Sequence, residues 1–308
     1  MPEAAPLVSI VAVNHDGAEL VESFMSGVER TSYEPLEVIV VDNASHDSSP
    51  EDFAAYEAVQ LVRSATNLGF GGGCNIGAQR ARGELVVFMN PDVVLAHDTI
   101  ELLVADKRAT PDAAIVFASL LVEGFEHHRS SRVEDVASMA AATMLVERAH
   151  FERIGGFDPW IFLYSEDDDL CYRTWLSGRR VVKSWNAVAE HSVGGAGGGR
   201  RWSAEQIKNG LYVHLKLRAW PAVLRFAGRA LVKTLVRGVA LRDRRVLAAW
   251  SRNVAELPAT LSKRRTLRGA ATPERLRLLE RLAAENEHFS RRAWRRRLRM
   301  DLQRRFGS

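Results

Sequence analysis

Four consecutive carboxylates are the feature of this sequence best suited to chemistry. The stretch FLYSEDDDLCYR holds them at Glu166, Asp167, Asp168 and Asp169. Adjacent carboxylates repel one another, so they cost stability unless solvent or a cation neutralises them. Glu166 and Asp167 follow an aromatic-rich run that indicates a half-buried cleft wall, where burial raises a carboxyl pKa enough for general-base chemistry. Asp168 and Asp169 fit a solvated helix N-terminus, where the helix dipole favours negative charge.

Three further segments carry residues suited to binding ions. Asp92 follows an apolar run in VFMNPDV, where a carboxylate can hold a divalent cation that touches a diphosphate, although Asn-Pro-Asp alone is more often a turn. His191 precedes a glycine-rich run and is either a metal ligand delivered by a closing segment or an ordinary surface histidine. The stretch NLGFGGGCNIG presents backbone amides to a phosphate or forms a tight turn for close helix packing.

Alternating strand and helix patterns must position these residues. Runs of β-branched residues predict buried parallel strands at 7–13 and 36–45, and shorter strands at 59–64 and 84–90. The intervening periodicity predicts a β-α-β-α-β-α-β order, with a helix over about 75–82 after a glycine-rich turn. The sequence therefore predicts a doubly wound α/β sheet, and such sheets bind ligands at the carboxyl ends of their strands.

The pattern loosens after Asp92, but further elements are predicted. They are helices over 98–109, 147–154 and 168–178, and strands over 113–118, 139–146 and 180–192. The two cysteines, Cys74 and Cys171, match neither a disulfide framework nor a zinc spacing, which suits a reducing compartment.

Charge divides the chain into an acidic body and a basic tail. Residues 1–200 carry a formal charge of −15 and residues 201–308 carry +19, which together give the net charge of +4. We therefore predict two regions, 1–200 and 201–308, and a tail that meets a polyanion, either an anionic membrane surface or nucleic acid. The short apolar run at the N-terminus does not fit a signal peptide, and no stretch has the length of a membrane span, so we expect a cytoplasmic location.

The tail contains amphipathic helix patterns. Residues 221–241 place Arg225, Arg229, Lys233 and Arg237 at four-residue spacing, which fits a helix lying in the headgroup layer of an anionic bilayer. The same pattern fits a helix packed on the body with its arginines extended to solvent. A basic segment at 290–308 also has apolar residues spaced among arginines. The pattern over 273–290 predicts a helix for docking or dimerisation.

These motifs together resemble a known family. VSIVAVNHDG, VIVVDNASHDSS, NLGFGGGCNIG, VFMNPDV, the GGFDPWIFLYSEDDDLCYRTW run and AEHS occur in the order found in inverting family 2 glycosyltransferases of the GT-A fold. The resemblance covers roughly residues 7–195 and is most similar to rhamnosyltransferases that extend polyprenyl-diphosphate-linked sugars. It implies a GT-A domain with a helical, basic C-terminal extension.

The resemblance implies a role for each matched residue. Asp167 matches the catalytic base, with Glu166 beside it tuning its pKa. Asp92 with Asn90 stands where the family holds Mg²⁺ or Mn²⁺ on the donor diphosphate, and His191 matches a further metal ligand. The nucleotide-sugar set implied by the resemblance comprises Val13, Asn14, His15, Asp42, Asn67, Gly71, Asn90 and Asp92. The family motif begins with Asp where this chain has Asn90, which predicts weaker metal binding.

The resulting hypothesis is a metal-dependent inverting glycosyltransferase. It predicts transfer of L-rhamnose from dTDP-L-rhamnose to a lipid-linked saccharide in cell-envelope glycan synthesis, at the inner face of the membrane. It also predicts that Asp169 pairs with Arg173, one helical turn further on. Another dTDP- or UDP-linked donor with a soluble or natural-product acceptor is the alternative, and a non-catalytic sugar-nucleotide or membrane-binding module is the rival class. Nucleic acid is not the expected partner, and homo-oligomerisation stays open.

Overall fold

The fold is known from a computed structural model that describes residues 4–121, 127–191, 200–235 and 244–287. Those residues contain nine strands in one sheet. The strands are β1 (Val8–Asn14), β2 (Leu36–Asp42), β3 (Val59–Arg63), β4 (Leu85–Met89), β5 (Val93–Leu95), β6 (Ala113–Leu121), β7 (Val133–Asp135), β8 (Thr143–Glu147) and β9 (Arg180–His191).

Helices cover both faces of the sheet and continue beyond it. They are α1 (Val21–Glu29), α2 (Ser49–Ala54), α3 (Gly69–Arg80), α4 (Thr99–Ala109), α5 (Arg148–Arg153), α6 (Glu166–Ser177), α7 (Arg200–Leu217), α8 (Trp220–Thr234), α9 (Arg244–Ala255), α10 (Leu257–Gly269) and α11 over 273–287.

The sheet runs in the order β3-β2-β1-β4-β8-β6-β9-β5, and β7 pairs with β9. β1, β2, β3 and β4 are mutually parallel, which confirms the predicted parallel strands. Neighbouring side chains of β1 enter different cores, because Val11 belongs to one buried cluster and Ile10 to the other. A strand covered on both faces needs an almost continuous apolar run, which is what the sequence showed.

The second half of the sheet is mixed. β8 pairs antiparallel with β4 and β6, whereas β6 and β9 are parallel. β8 begins at Thr143, so the predicted strand start at residue 139 was wrong. The preceding residues form a loop instead, in which Ser138 and Ala141 bond to α6. α6 begins at Glu166, two residues before its predicted start, and therefore includes all four carboxylates.

The glycine-rich segment is helical, which corrects the prediction of a turn before a helix at residue 75. α3 begins at Gly69, whose φ of +74° belongs to the left-handed region. A Cβ at Gly69 would stand 1.7 Å from the carbonyl oxygen of Phe162. Glycine here lets the loop before α6 lie directly against the start of α3.

The helices after the sheet pack onto the body of the protein. Tyr212 and Lys216 of α7 are buried, as is Arg218 directly after it, and α11 inserts Leu279 and Leu282 into the core that contains α6. The predicted helix at 273–290 is thus confirmed over 273–287. The division at residue 200 stays a prediction, and the basic segment at 290–308 lies outside the described residues.

α8 has one face packed on the protein and another face exposed, so it has features of both predicted arrangements. Ala222, Val223, Ala230 and Thr234 face the protein and are buried. Leu224, Leu231, Val232 and Leu235 are exposed by between 49% and 70%. Arg237 lies outside the described residues. No helix within the described ranges is long and apolar enough to cross a membrane.

Candidate active site

Asp92 and His191 lie side by side where β5 begins and β9 ends. β5 and β9 are antiparallel, with Val93 opposite His191, and this register brings His191 Nε2 to 3.4 Å from Asp92 Oδ2. The hydrogen bond and the charge of Asp92 raise the pKa of His191, although burial opposes the shift. Two of the three residues predicted to bind metal are therefore neighbours.

The pair fits a divalent cation. Asp92 Oδ1 is buried and has no hydrogen-bond partner among the described residues. Such an oxygen is an available ligand, and Mg²⁺ in proteins is commonly held by one or two carboxylates together with substrate phosphates. No cluster of three or more His, Cys, Asp or Glu side chains with metal-binding geometry occurs in the described ranges. The remaining positions would have to come from the donor diphosphate and water.

Asn90 is placed beside this pair by its backbone. Its N–H donates to Ala142 O at 3.1 Å, and its carbonyl accepts the N–H of Val93 at 3.2 Å. These bonds hold the turn between β4 and β5 against the loop before β8. The predicted participation of the Asn90 side chain in metal binding stays a prediction.

Asp42 ends β2 and Asn43 follows it, at the same end of the sheet as Asp92 and His191. Asp42 is 5% exposed, and its Oδ1 accepts the N–H of Ser45 at 3.1 Å. The Asn43 amide donates to Asn67 Oδ1 and to Gly69 O, both at 3.1 Å. Asn43 therefore ties β2 to the start of α3. Its position directly after a buried strand marked it in the sequence, although it was not among the predicted site residues.

Asn14 and Val13 support this edge from within. Asn14 is 1% exposed, and its amide donates to Ser49 Oγ at 2.7 Å and to Ser45 Oγ at 3.2 Å. The Val13 side chain lies against Gly73, where a Cβ would be only 2.6 Å away. Both side chains therefore support the loops at this end of the sheet, and direct nucleotide contact by them stays a prediction.

His15 and Gly71 have contrasting positions. His15 lies at the rim, with Nε2 3.7 Å from Asp16 Oδ2, and its side chain is 39% exposed. Gly71 is buried in α3, where a Cβ would stand 3.0 Å from the Cβ of Phe157 and 3.6 Å from that of Glu166. The structure thus gives Gly71 a packing role, and its ligand contact is untested.

The first turn of α6 carries strained backbone and perturbed carboxyls. Tyr164 and Ser165 have φ values of +69° and +72°, a left-handed conformation that non-glycine residues seldom adopt and that concentrates at functional sites. Burial, with the nearby charge of Asp168, raises the pKa of Glu166 to about 7. Burial and the charges of Asp168 and Glu166 raise the pKa of Asp167 well above its usual range.

Backbone contacts place Asp167 close to the end of β4. The carboxylate of Asp167 accepts the N–H of Ala141, and the next residue, Ala142, accepts the N–H of Asn90. Two hydrogen bonds through one loop therefore join Asp167 to the turn that carries Asp92. The structure brings together the candidate base and the candidate metal ligands.

The last carboxylate of the cluster has cationic partners. Arg173 Nε donates to Asp169 Oδ2 at 2.7 Å, which confirms the predicted pair, and Lys216 Nζ donates to Asp169 Oδ1 at 2.6 Å. Lys216 also bonds to Asp158 Oδ2 at 2.7 Å. Burial opposes ionisation of Asp158, but Lys216 and the hydroxyl of Tyr212 overcome it and lower the pKa of Asp158. Sequence reasoning missed Lys216 because it lies on a helix far along the chain.

Asp168 contacts the protein, which corrects its assignment to a solvated helix end. Its Oδ1 accepts the hydroxyl of Ser138. Burial raises its pKa, although the Ser138 bond and the positive charge of Arg218 act in the opposite direction. Asp168 thus faces the C-terminal helices.

Comparison with known proteins decides the family. The model of Glycosyl transferase family 2 matches residues 8–185, a segment that runs from β1 into β9 and contains both Asp92 and Asp167. The chain belongs to glycosyl transferase family 2. Glycosyl transfer is the activity that goes with this membership, and the recognition made from the motifs is confirmed.

Curated relatives include rhamnosyltransferases. The N-acetylglucosaminyl-diphospho-decaprenol L-rhamnosyltransferase of Mycobacterium tuberculosis is 26% identical over 56% of this chain and 72% of its own length. Rhamnosyltransferase WbbL of Escherichia coli is 23% identical over 59% of this chain and 83% of its own. A solved structure of mannosyltransferase PcManGT from Pyrobaculum calidifontis, in complex with GDP-Man and Mn²⁺, aligns with a TM-score of 0.57 at 20% identity, over 94% of this chain and 89% of that one. This likeness confirms the GT-A fold.

Proposed function

We propose that this protein is a metal-dependent, inverting glycosyltransferase with Asp167 as its base. The observation that carries the proposal is the position of Asp167. It has a raised pKa, it has no ion-pair partner among the described residues, and two hydrogen bonds through one loop link it to the turn carrying Asp92. A carboxyl whose pKa is raised towards neutrality is a stronger base than an ordinary one.

Asp167 removes the proton of the acceptor hydroxyl. That oxygen then forms a bond to the anomeric carbon of the donor sugar, while the bond from this carbon to the diphosphate oxygen breaks on the opposite face. The configuration inverts, the proton remains on Asp167, and the nucleoside diphosphate leaves with the bonding electrons. A divalent cation held by Asp92 and His191 would neutralise charge on the departing diphosphate.

Glu166 acts through Asp167. Glu166 is 7% exposed, and one of its carboxyl oxygens has no hydrogen-bond partner among the described residues. The charge of Glu166 adds to burial and to the charge of Asp168 in raising the pKa of Asp167, because neighbouring carboxyls do not both ionise easily. Glu166 therefore helps to raise the pH at which Asp167 becomes a base.

For the substrates, we propose L-rhamnose from dTDP-L-rhamnose and a lipid-linked saccharide acceptor in cell-envelope glycan synthesis. The names of the M. tuberculosis and E. coli relatives support this choice. Another nucleotide-sugar donor with a soluble acceptor is the second candidate, since the mannosyltransferase of similar fold was solved with GDP-Man. Asp42, buried at the end of β2, is the side chain that we expect to read the base.

The proposed place of action is the inner face of the cell membrane. Leu224, Leu231, Val232 and Leu235 of α8 recur at helical spacing and are all exposed, and Arg225 adjoins Leu224. An exposed apolar stripe beside cationic side chains fits the interfacial layer of an anionic bilayer. Co-sedimentation with anionic vesicles should fall several-fold in Leu224→Gln/Leu231→Gln, and equal binding by variant and wild type would contradict the proposal.

A nucleotide-sugar screen tests the function as a whole. Ligands that bind only the folded protein raise its apparent stability. We expect dTDP-L-rhamnose with Mg²⁺ or Mn²⁺ to raise the melting temperature more than dTDP, UDP-sugars or GDP-mannose do. Transfer to a lipid-linked acceptor should then give a product of opposite anomeric configuration, measured by NMR. Donor binding without transfer to any acceptor would favour the non-catalytic module.

A further inference from the structure

A cavity of about 300 Å³ lies between α6 and the C-terminal helices α7, α8 and α11. This volume is at the lower end of the roughly 300–1,000 Å³ typical of small-molecule sites. Its wall is formed by Asp168, Tyr172, His214, Arg218, Phe226, Arg229, Ala283, Asn286 and Glu287.

Two buried polar atoms in this wall are unsatisfied. Arg218 Nη2 and His214 Nε2 have no hydrogen-bond partner in the part of the chain that the structure describes. Arg218 is 1% exposed and His214 is 9% exposed. Buried polar atoms are almost always bonded to protein, water or ligand, so two unsatisfied atoms in one wall are open positions for water or for polar groups of a ligand.

The two atoms have complementary chemistry. His214 Nδ1 contacts Gly210 O at 2.8 Å, so Nδ1 carries the proton and Nε2 of the neutral ring is an acceptor. Burial, with the charge of Arg218, lowers the pKa of His214 to about 4, which keeps the ring neutral. Arg218 Nη2 is a donor. One donor and one acceptor suit hydroxyl groups, which can both give and receive a hydrogen bond.

The charges around the cavity favour a neutral ligand over an anionic one. Arg229 pairs with Glu287 at 3.2 Å, and Arg218 Nε donates to Glu280 at 3.1 Å. Asp168 adds a carboxylate to the same wall. A phosphate would meet a carboxylate beside each guanidinium, and like charges at close range are unfavourable.

Aromatic rings complete the wall. The Phe226 ring stacks on His214 with centroids 4.2 Å apart, and Gly210 permits this approach because a Cβ there would stand 2.4 Å from Phe226. The Tyr172 ring lies beneath the guanidinium of Arg218 at 5.4 Å. Apolar ring surfaces with a few placed polar groups are typical of small-molecule sites, and a pyranose offers both apolar C–H and hydroxyl groups to them.

The cavity is lined by Asp168, the residue that follows the candidate base. Asp168 follows Asp167 directly, so their Cα atoms lie about 3.8 Å apart. The loop before β8 connects the two places: Ser138 bonds to Asp168, and its carbonyl accepts the amide of Asn286 at 2.8 Å, whereas Ala141 bonds to Asp167. A sugar in the cavity would therefore be separated from the candidate base by one position of α6 and by this one loop.

We propose that this cavity is the acceptor subsite and that it binds one neutral pyranose unit through His214, Arg218 and Asp168. The proposal rests on the proposed glycosyltransferase function and names the part of the acceptor that the chain recognises. His214 and Arg218 are then binding residues supplied by the helical extension.

Saturation-transfer NMR with the methyl β-glycoside of N-acetylglucosamine tests the site on the full chain. His214→Phe keeps an aromatic ring against Phe226 but removes the Nε2 acceptor, and Ala283→Leu fills the cavity from α11. His150→Phe is the matched control, because His150 is also buried with a pKa lowered to about 4, chiefly by burial, but does not line the cavity. Melting temperatures show that each variant is folded.

Wild type and His150→Phe should bind the glycoside equally, and inorganic phosphate should not displace it. His214→Phe should bind about five- to tenfold more weakly, the loss expected for one hydrogen bond, and Ala283→Leu should abolish the signal. No binding by wild type, displacement by phosphate, or wild-type binding by folded His214→Phe or Ala283→Leu would overturn the subsite. Stabilisation by nucleotide sugar with Mn²⁺, measured on the same samples, tests the proposed function separately.

Discussion

The start of α6 and the charge network beside it use the same residue type in opposite ways. Glu166 and Asp167 are carboxyls with raised pKa values and, among the described residues, no ion-pair partner. Asp169, two positions further on, receives Arg173 and Lys216, and Lys216 also bonds to Asp158. The four adjacent acids therefore differ in their partners. Glu166 and Asp167 have no cationic partner among the described residues, whereas Asp169 has two. Asp168 lies between these two groups in the sequence.

The difference follows from what packs against each face of the helix. α7 supplies Lys216 to the face of Asp169, whereas Glu166 faces Gly71 and Phe157, which offer no charge. A buried carboxylate with cations is held ionised and stabilises the fold, but it is a poor base. A buried carboxyl without them is costly to ionise and is therefore a better base. On this account Asp169 stabilises the fold, and Asp167, two residues earlier, is the base.

The largest expected effect on stability comes from Asp169, the carboxylate that is paired with Arg173 and Lys216. Asp169→Asn should destabilise the protein by about 3–5 kcal/mol, because it leaves Arg173 and Lys216 buried with too little negative charge. Denaturant unfolding measures this loss. Asp112→Asn, which removes an exposed partner of Arg180, is the control and should cost less than about 1 kcal/mol. A loss as small as the control's would remove the distinction between the two groups.

Loss of Asp92 should weaken metal binding without such a change in stability. Asp92→Asn should lower the affinity for Mn²⁺ in the presence of nucleotide sugar by at least the roughly 10- to 100-fold caused by outer-shell substitutions. Calorimetric titration of Mn²⁺ measures it. Unchanged Mn²⁺ affinity would show that the pair with His191 is only a hydrogen bond between strands.

The pH dependence of the transfer rate should reflect the ionisation of Asp167, which has no cationic partner among the described residues. Because the pKa of Asp167 is raised, the base takes up its proton at a higher pH than an ordinary aspartate does, and the rate should fall as pH falls through that pKa. Glu166→Gln removes a like-charged neighbour of Asp167. It should therefore move the acidic limb of the pH–rate profile about one pH unit towards lower pH. A limb that does not move, in a variant with wild-type donor binding, would exclude Glu166 as the residue that sets the pKa.

The smallest effect is a gain in stability. A carboxyl whose pKa is higher in the folded protein stabilises the fold only while it is protonated, and this contribution is lost as pH rises through the folded pKa. Asp167→Asn removes the cost, so the melting temperature should rise by about 2–4 °C at neutral pH and by less at pH 4. Differential scanning calorimetry at the two pH values measures both. A decrease at neutral pH would mean that Asp167 is stabilised as a carboxylate after all.

Much of the fold was predictable because its signals are local. The β-branched runs of β1 and β2 identified buried parallel strands, and the motif order predicted that Asp92 and His191 belong to one site. The start of α3 was missed because its glycines read as a turn, whereas Gly69 is required by the close approach of Phe162. Composition alone does not show which part of the chain will lie against a glycine.

The partners of the acidic cluster were only partly predictable. The bond between Asp169 and Arg173 follows from helical spacing, but Lys216 comes from α7, and no local pattern marks that contact. The cavity beside Asp168 has the same origin, since α6, α7, α8 and α11 all contribute to it. The basic tail was predicted to meet a polyanion, with packing of its 221–241 helix on the body as the alternative, but no local pattern showed that Lys216 and Arg218 are buried.

The rate of sugar transfer by Asp167→Asn tests the account most directly. The amide cannot accept the proton, so the transfer rate should fall by roughly 10²–10⁴-fold, while thermal stabilisation by nucleotide sugar and Mn²⁺ stays at the wild-type level. Transfer within about tenfold of wild type by this variant would contradict the central claim that the unpaired carboxyl of α6 is the catalytic base.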